Sequence, residues 1–325
     1  MIDRTSSLAE SLNGALSELM ENDESVVLIG QDIGRLGGVF RVTKGLQKRF
    51  GPDRVRDAVL AESSIVGQAI GMSLSGLKPV CEIQFEGFIY PGMNQIVTQA
   101  ARIKSRWNDD IALNLVIRVP VGGGIRAVEH HSESNEAYFA HTPGLHVAFP
   151  SCPDDASAML KYSCSLGSPV IFYEPKRLYF LRKQHSRDPS EPRSPVSARV
   201  VRHGRDITVV GWGAVLEEVL EAAEQLAPAV DVEVIDLRWI APMDTETVLD
   251  SVARTHRLLV VHEAVGFAGV GAEVVASVAE HGSEHLRSPM RRLAAPRRLY
   301  PPADYEKHYL VGVSDVVAAV KEMCG

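Results

Sequence analysis

The sequence predicts an α/β protein built of two parallel-sheet domains, and three observations carry that reading. Short apolar runs of strand length alternate with longer stretches that repeat at helical spacing. The length, 325 residues, exceeds that of a typical single domain. The alternation stops over residues 181–200, LRKQHSRDPSEPRSPVSARV, and then restarts; that stretch is rich in charge and holds three prolines. The expected division is a first domain over 1–180, a linker over 181–200 and a second domain over 201–325.

The first helix announces itself through Ser7-x-x-Glu10, a capping box, followed by Leu8, Leu12, Leu16 and Leu19. Val26–Ile29 is a continuous apolar run, the pattern of a strand covered on both faces. Gly30, Gly34, Gly37 and Gly38 then break the chain into a loop, and a helix is expected near 42–50. Residues 62–76 read as a helix whose small side chains, from Gly67 to Ser75, favour close packing. Strands follow at 79–85, 113–119, 145–149 and 169–173, separated by helices at about 92–106 and 153–166. Beyond the linker, strands are expected at 207–211, 232–237 and 258–263, and helices at 214–226, 244–253 and 270–281.

Composition excludes several classes. There are 34 Lys and Arg against 41 Asp and Glu, a net charge of −7, which disfavours a nucleic-acid partner. No apolar run reaches the roughly 18 residues of a membrane span, and the first residues lack an apolar signal core, so a cytoplasmic protein is expected. The four cysteines are scattered, which argues against a zinc ribbon or a disulfide scaffold. Neither a Walker loop, a G-x-G-x-x-G after the first strand, nor a G-x-S-x-G elbow occurs. Gly122-Gly123-Gly124 follows a strand and reads equally as a sharp turn or as a ligand contact.

Two places could carry chemistry. Glu62, in VLAESSIVGQAIG, stands at a loop-to-helix junction. An acid there complements the helix dipole. A carboxyl group beside apolar Val59, Leu60 and Ile65 is also suited to share a proton with a ligand nitrogen. His130 and His131 lie in GIRAVEHHSESNEAYFAH, among Glu129, Glu133, Glu136 and His141. Adjacent histidines point different ways and no metal-ligand spacing supports a metal centre, so the choice lies between a solvated polar loop and a general acid or base.

Ordered strings through the whole chain resemble the β subunit of the decarboxylating dehydrogenase component of 2-oxo acid dehydrogenase complexes. They include LIGQDIGRLGGVFRVTKGLQKRFGPDRVRD, LAESSIVGQAIGMSLSGLKPVCEIQFEGF, NQIVTQAARIK, RVPVGGG, HHSES, PGLHVAFPSCPDDA, PVIFYEPKRLY, VIDLRWIAPMD and VVHEAVGFAGVGAEV. The resemblance implies a transketolase-like pyrimidine-binding domain and a transketolase C-terminal-like domain. It implies thiamine diphosphate shared with an α subunit in an α₂β₂ heterotetramer, the magnesium being held by the α subunit through a G-D-G signature that this chain lacks. It further implies a lipoyl acyltransferase as partner and a small 2-oxo acid as substrate, with a branched-chain acid slightly favoured over pyruvate by VEHHSES.

Residue by residue, Glu62 matches the glutamate that bonds the pyrimidine N1′ and favours its imino tautomer. Leu60, Gln84 and Phe88 match positions around the aminopyrimidine. A glutamine within CEIQF needs a polar partner in any case. His131 matches the histidine that assists acyl transfer to the lipoyl arm. The family's H-S-Q-S reads H-S-E-S here, so an ionised Glu133 would favour protonated His131. That departure motivates an alternative, delivery of the acyl group to a carrier protein in specialised metabolism; a non-catalytic scaffold is a further one. No metal site is expected on this chain, since Leu166 and Ser168 replace the residues that flank the family's potassium ion. His262-Glu263, at a strand end, is expected to be structural.

Overall fold

A computed structural model describes residues 5–184 and 194–325. Its contacts divide the chain into two units, Met1–Val121 with Tyr138–Ser186, and Gly122–Ala137 with Arg187–Gly325. The sequence division placed 122–137 within its first domain, whereas contacts group that segment with the second unit. Of the expected linker, residues 185–193 lie outside the described residues.

The first unit begins with β1 (Thr5–Ser6) and α1 (Leu8–Asn22). The capping box forms: Glu10 N donates to Ser7 Oγ and Ser7 N donates to Glu10 Oε2. Leu8, Leu12 and Leu16 are buried, as the helical spacing requires. β2 (Val26–Gly30), α2 (Leu46–Phe50), β3 (Val55–Asp57), α3 (Glu62–Leu74) and β4 (Lys78–Glu82) follow. After β4 comes a 3₁₀ segment, Glu86–Gly92. The expected helix at 92–106 is in fact a π-helical stretch, Gln95–Ala100, running into α4 (Ala101–Arg106). β5 (Val116–Val121) leads through the short α5 (Glu136–Ala140), at the division between the units, to β6 (His146–Ala148), α6 (Pro153–Ser165), β7 (Val170–Pro175) and β8 (Lys183–Gln184). The strands of the main sheet are parallel in the order β6-β7-β5-β4-β2-β3, while β1 and β8 form a separate antiparallel pair. Their continuous apolar runs are explained by burial on both faces.

The close approach expected of the small residues in α3 is not made by its glycines. A Cβ at Gly71 would meet nothing within 4 Å, and one at Gly67 would stand 3.8 Å from Gln95. The tight contact comes from the other side, where a Cβ at Gly92 would lie 3.3 Å from Val66 Cγ2 and 3.4 Å from the Glu62 carbonyl oxygen. The segment after β4 therefore packs on the first turn of α3.

The second unit has β9 (Arg199–Arg202), β10 (Ile207–Gly211), α7 (Leu216–Leu226), β11 (Val232–Asp236), β12 (Trp239–Ala241), α8 (Thr245–Thr255), β13 (Leu258–Val265), α9 (Val270–His281), β14 (Arg291–Ala295) and α10 (Val313–Cys324). Its sheet runs β14-β13-β10-β11-β9, parallel except for β9 at the edge. Val219, Ala222, Val316 and Val320 cover one face of it. Neither β9, β14 nor α10 was anticipated from the sequence. No helix among the described residues is long and apolar enough to cross a membrane.

One buried charge network ties the centre of the first sheet together. Arg118, on β5, is 2% exposed. Its Nε and Nη2 donate to the two oxygens of Glu174 on β7 at 2.6 and 2.8 Å, and its Nη1 donates to Glu82 on β4 at 2.7 Å. Tyr179 adds its hydroxyl to Glu174 at 2.6 Å. Arg118→Leu would leave two carboxylates buried without their cation. Such a loss costs about 3–5 kcal/mol, so a fall of that size in the urea unfolding free energy is the expected outcome.

Candidate functional site

In an open parallel sheet the ligand edge is the one where strands end in their carboxyl direction, because the loops there are free to diverge. On the first unit β3 and β4 flank β2. The loops that follow them, 58–61 and 83–86, emerge at that edge. Sequence expectation placed Glu62 at a loop-to-helix junction just after Leu60, and Gln84 inside a strand over 79–85. β4 ends at Glu82, so Gln84 and Phe88 both follow the strand, and Gly92 beyond them packs on the first turn of α3.

Glu62 opens α3, with Ala61 as an N-cap that offers no side-chain bond. The carboxylate thus stands in the first turn, where the free amides favour negative charge. It is half-buried. The apolar surroundings expected of Val59 and Leu60 are not supplied by this chain: these side chains are 73% and 72% exposed. Only Ile65, one turn on, is buried. Gln84 lies beyond the end of β4, and its amide donates to the Gln31 carbonyl at 3.4 Å and towards Asp32 Oδ2 at 3.5 Å. Phe88 meets Phe85 edge to face, with ring centres 5.9 Å apart. Phe85 in turn meets Phe40, which stacks on Tyr179 at 4.7 Å. Beneath this aromatic row, Lys176 Nζ bonds Glu86 Oε2 at 2.5 Å with both side chains buried. Gln84 therefore stands between two residues held in buried ion pairs, Glu82 and Glu86, and Phe88 follows the second.

His131 is on the second unit, at the end of a 3₁₀ turn, Glu129–His131. Its ring lies 4.5 Å from that of His130, tilted by 67°, so the two imidazoles do not converge on one point. Burial, and then the charge of Glu129, push the Glu133 carboxyl above its ordinary value, with His130 opposing. The carboxyl of H-S-E-S is therefore less readily ionised than a free one. Among the described residues no group of three or more His, Cys, Asp or Glu side chains is arranged to hold a metal ion. At the loop before β7, Lys104 Nζ donates to Ser168 Oγ at 3.0 Å and Gly167 N donates to Asn114 Oδ1 at 3.1 Å.

The glycine run makes a turn and also a set of bonds that sequence reasoning did not find. Gly122 and Gly124 have φ of +86° and +83°, which only glycine adopts without strain. Gly123 N donates to Glu263 Oε1 at 2.7 Å and Gly124 N donates to Glu306 Oε1 at 2.8 Å. These amides are filled by carboxylates of the same chain and are not a phosphate cradle. Glu136, 1% exposed, accepts a bond from Trp212 Nε1 at 3.2 Å through one oxygen. Trp212 stacks on His262, which is wholly buried, with ring centres 5.0 Å apart and planes within 11°.

Comparison with known proteins defines the class first. Residues 5–181 match the transketolase pyrimidine-binding domain and residues 197–316 match the transketolase C-terminal domain. The fold is shared with a split-gene transketolase solved as an inactive β4 tetramer, with a TM-score of 0.80, 22% identity and 98% of each chain covered.

Within that class the chain belongs to the E1 β subunits of the pyruvate and branched-chain 2-oxo acid dehydrogenases. It is 44% identical over 319 residues to the pyruvate dehydrogenase E1 component subunit beta of Acholeplasma laidlawii, covering 97% of each. It is 40% identical over 325 residues to the 3-methyl-2-oxobutanoate dehydrogenase subunit beta of Mycobacterium tuberculosis, covering 99% of this chain and 93% of the relative. It is 39% identical over 321 residues to the 2-oxoisovalerate dehydrogenase subunit beta of Bacillus subtilis, covering 98% of each. Relatives named for both kinds of acid stand at similar identity, so this similarity ranks neither acyl group above the other.

Glu136 and His262 titrate in opposite senses. Burial pushes the Glu136 carboxyl from 4.5 up to about 7. The unfolded chain then sheds this proton first, and the stability contributed by Glu136 falls as pH rises from about 4.5 to about 7. Burial, with help from Arg292, lowers the His262 imidazole from 6.5 to about 4. Its contribution rises over that window, because the unfolded chain binds the proton that the folded one refuses. The two slopes oppose each other between about pH 4.5 and 6.5. Glu136→Gln keeps an oxygen for Trp212 and removes one slope. The variant's urea unfolding free energy is expected to climb with pH across that window more steeply than the native protein's. Above pH 7 it is expected to exceed the native value by on the order of 3 kcal/mol.

Proposed function

We propose that this chain is the β half of a thiamine diphosphate-dependent 2-oxo acid decarboxylase that passes its acyl group to a lipoyl domain. What supports the reading is that the segment following β4, which carries Phe88, packs through Gly92 on the first turn of α3, which carries Glu62, while Val59 and Leu60 before that turn stay exposed. The residues fit the pyrimidine end of the cofactor: a carboxyl group at a helix start, a side-chain amide, and aromatic and aliphatic surface. They do not fit its diphosphate end, since the glycine amides are already occupied by Glu263 and Glu306. An α subunit supplying the diphosphate and magnesium sites completes the pocket, within an α₂β₂ assembly that acts on a lipoyl acyltransferase.

Bound there, thiamine diphosphate supplies the nucleophilic carbon and the electron sink for loss of carbon dioxide. Glu62 holds a proton against the pyrimidine nitrogen, and a surface that covers Val59 and Leu60 excludes water from that bond and strengthens it. Gln84 orients the ring edge, and Phe88 and Leu60 pack on its faces. His131 delivers a proton to the thiolate that develops as the acyl group reaches the lipoyl arm.

Purified alone, the chain is expected to bind thiamine diphosphate weakly by calorimetry. Mixed with an α subunit bearing G-D-G, it is expected to release carbon dioxide from 2-oxo acids. Glu62→Gln in that pair should lower carbon dioxide release by roughly 10²–10⁴-fold, the range of a lost acid–base group. An unchanged rate removes the cofactor role. Leu60→Ser is expected to leave the urea unfolding free energy within about 0.5 kcal/mol while weakening α-subunit association by light scattering.

A further inference from the structure

The loop that carries the histidines starts directly after β5, yet it groups with the second unit and is anchored there by a set of hydrogen bonds. At its start, Gly123 N and Gly124 N bond the carboxylates of Glu263 and Glu306. Consecutive amides of this kind form an anion-binding nest, and bonds to a carboxylate are about twice as strong as neutral ones. Tyr300 completes the anchor: its hydroxyl donates to Glu306 Oε1 at 2.5 Å, and a Cβ at Gly123 would collide with it. The base of the loop is closed by Gly122 N donating to the Glu133 carbonyl at 3.1 Å. At the far end Glu136 accepts from Trp212. The turn bearing His131 is suspended between these fixed points. None of the bonds involves Leu60, Glu62, Gln84 or Phe88.

We propose that Glu263, Glu306 and Tyr300 are positioning residues for His131, acting through the amides of Gly123 and Gly124 on the acyl-transfer half-reaction and not on decarboxylation. This rests on the reading of His131 as the proton donor in acyl transfer. The second unit then sets the geometry of a catalytic group through backbone bonds, with no acidic side chain needed at the histidine itself.

The test uses the assembled α–β enzyme with Glu263→Ala, Glu306→Ala, the conservative Glu263→Gln and the milder Tyr300→Phe. Hydrogen exchange at the 123–124 amides is read in each. Decarboxylation is followed with an artificial electron acceptor, and acyl transfer with a free lipoyl domain. The alanine variants are expected to speed exchange at 123–124 by about tenfold or more and to leave decarboxylation within about twofold. They should lower kcat for acyl transfer by roughly 10- to 100-fold, the scale of a misplacement near 1 Å. Glu263→Gln, which keeps an acceptor oxygen, should restore most of that rate, and Tyr300→Phe should fall between. If either alanine variant fails to fold, the same split is read from Tyr300→Phe. Unchanged exchange overturns the clamp. Faster exchange with unchanged acyl transfer, or an equal loss of both half-reactions, overturns the positioning role. His131→Ala with native acyl transfer overturns the functional reading itself, and the positioning role with it, while the exchange data still report whether the clamp exists.

Discussion

A guanidinium buried between two carboxylates governs the first unit. Arg118 bridges three neighbouring strands, and each of its bonds spans a place where like charges would otherwise face each other in a dry interior. Burial still raises the Glu82 carboxyl above its ordinary value despite this cation, which shows how closely the network is balanced. Glu82 ends β4, and the chain passes directly from it to Gln84 and Phe88. The position of the candidate cofactor wall is thus set by an electrostatic requirement of the sheet centre. The second ion pair, Lys176 with Glu86, repeats the arrangement between Gln84 and Phe88.

The second unit uses carboxylates differently. Glu263 and Glu306 accept bonds from backbone amides of the glycine turn. Anion capture by glycine amides is familiar from phosphate loops. Here the same geometry fastens the chain to itself. Of the two readings the sequence left open for the glycine run, a turn and a ligand contact, the structure forms the turn and fastens it with carboxylates.

Much of this was legible in the residues. Ser7 and Glu10 announced α1, and the apolar runs of β2, β5 and β7 announced a sheet covered on both faces. The ordered family strings announced the family, and with it Glu62 and His131 as candidates. What escaped was mostly long-range. Gly123 and Glu263 are 140 positions apart, and no local pattern links them. The charged residues within VIRVPV, KPVCE and VIFYEP did carry a signal: Arg118, Glu82 and Glu174 interrupt strands that are otherwise apolar and had to find one another. β9 and β14 were missed because they are short and flanked by charge, with burial along β14 confined to its end, whereas α10 did carry a helical signal in Val316, Ala319, Val320 and Met323 that the sequence reading passed over. Glu62 is half-buried, but not by the neighbours the sequence suggested: Val59 and Leu60 stay 73% and 72% exposed.

Those two uncovered side chains have a bearing on the life of the polypeptide in a cell. An aliphatic pair left bare beside an acidic group is adhesive to chaperones and to other unfolded chains. A surface that covers the pair would remove that adhesiveness, so the chain's solubility depends in part on what meets two neighbouring residues.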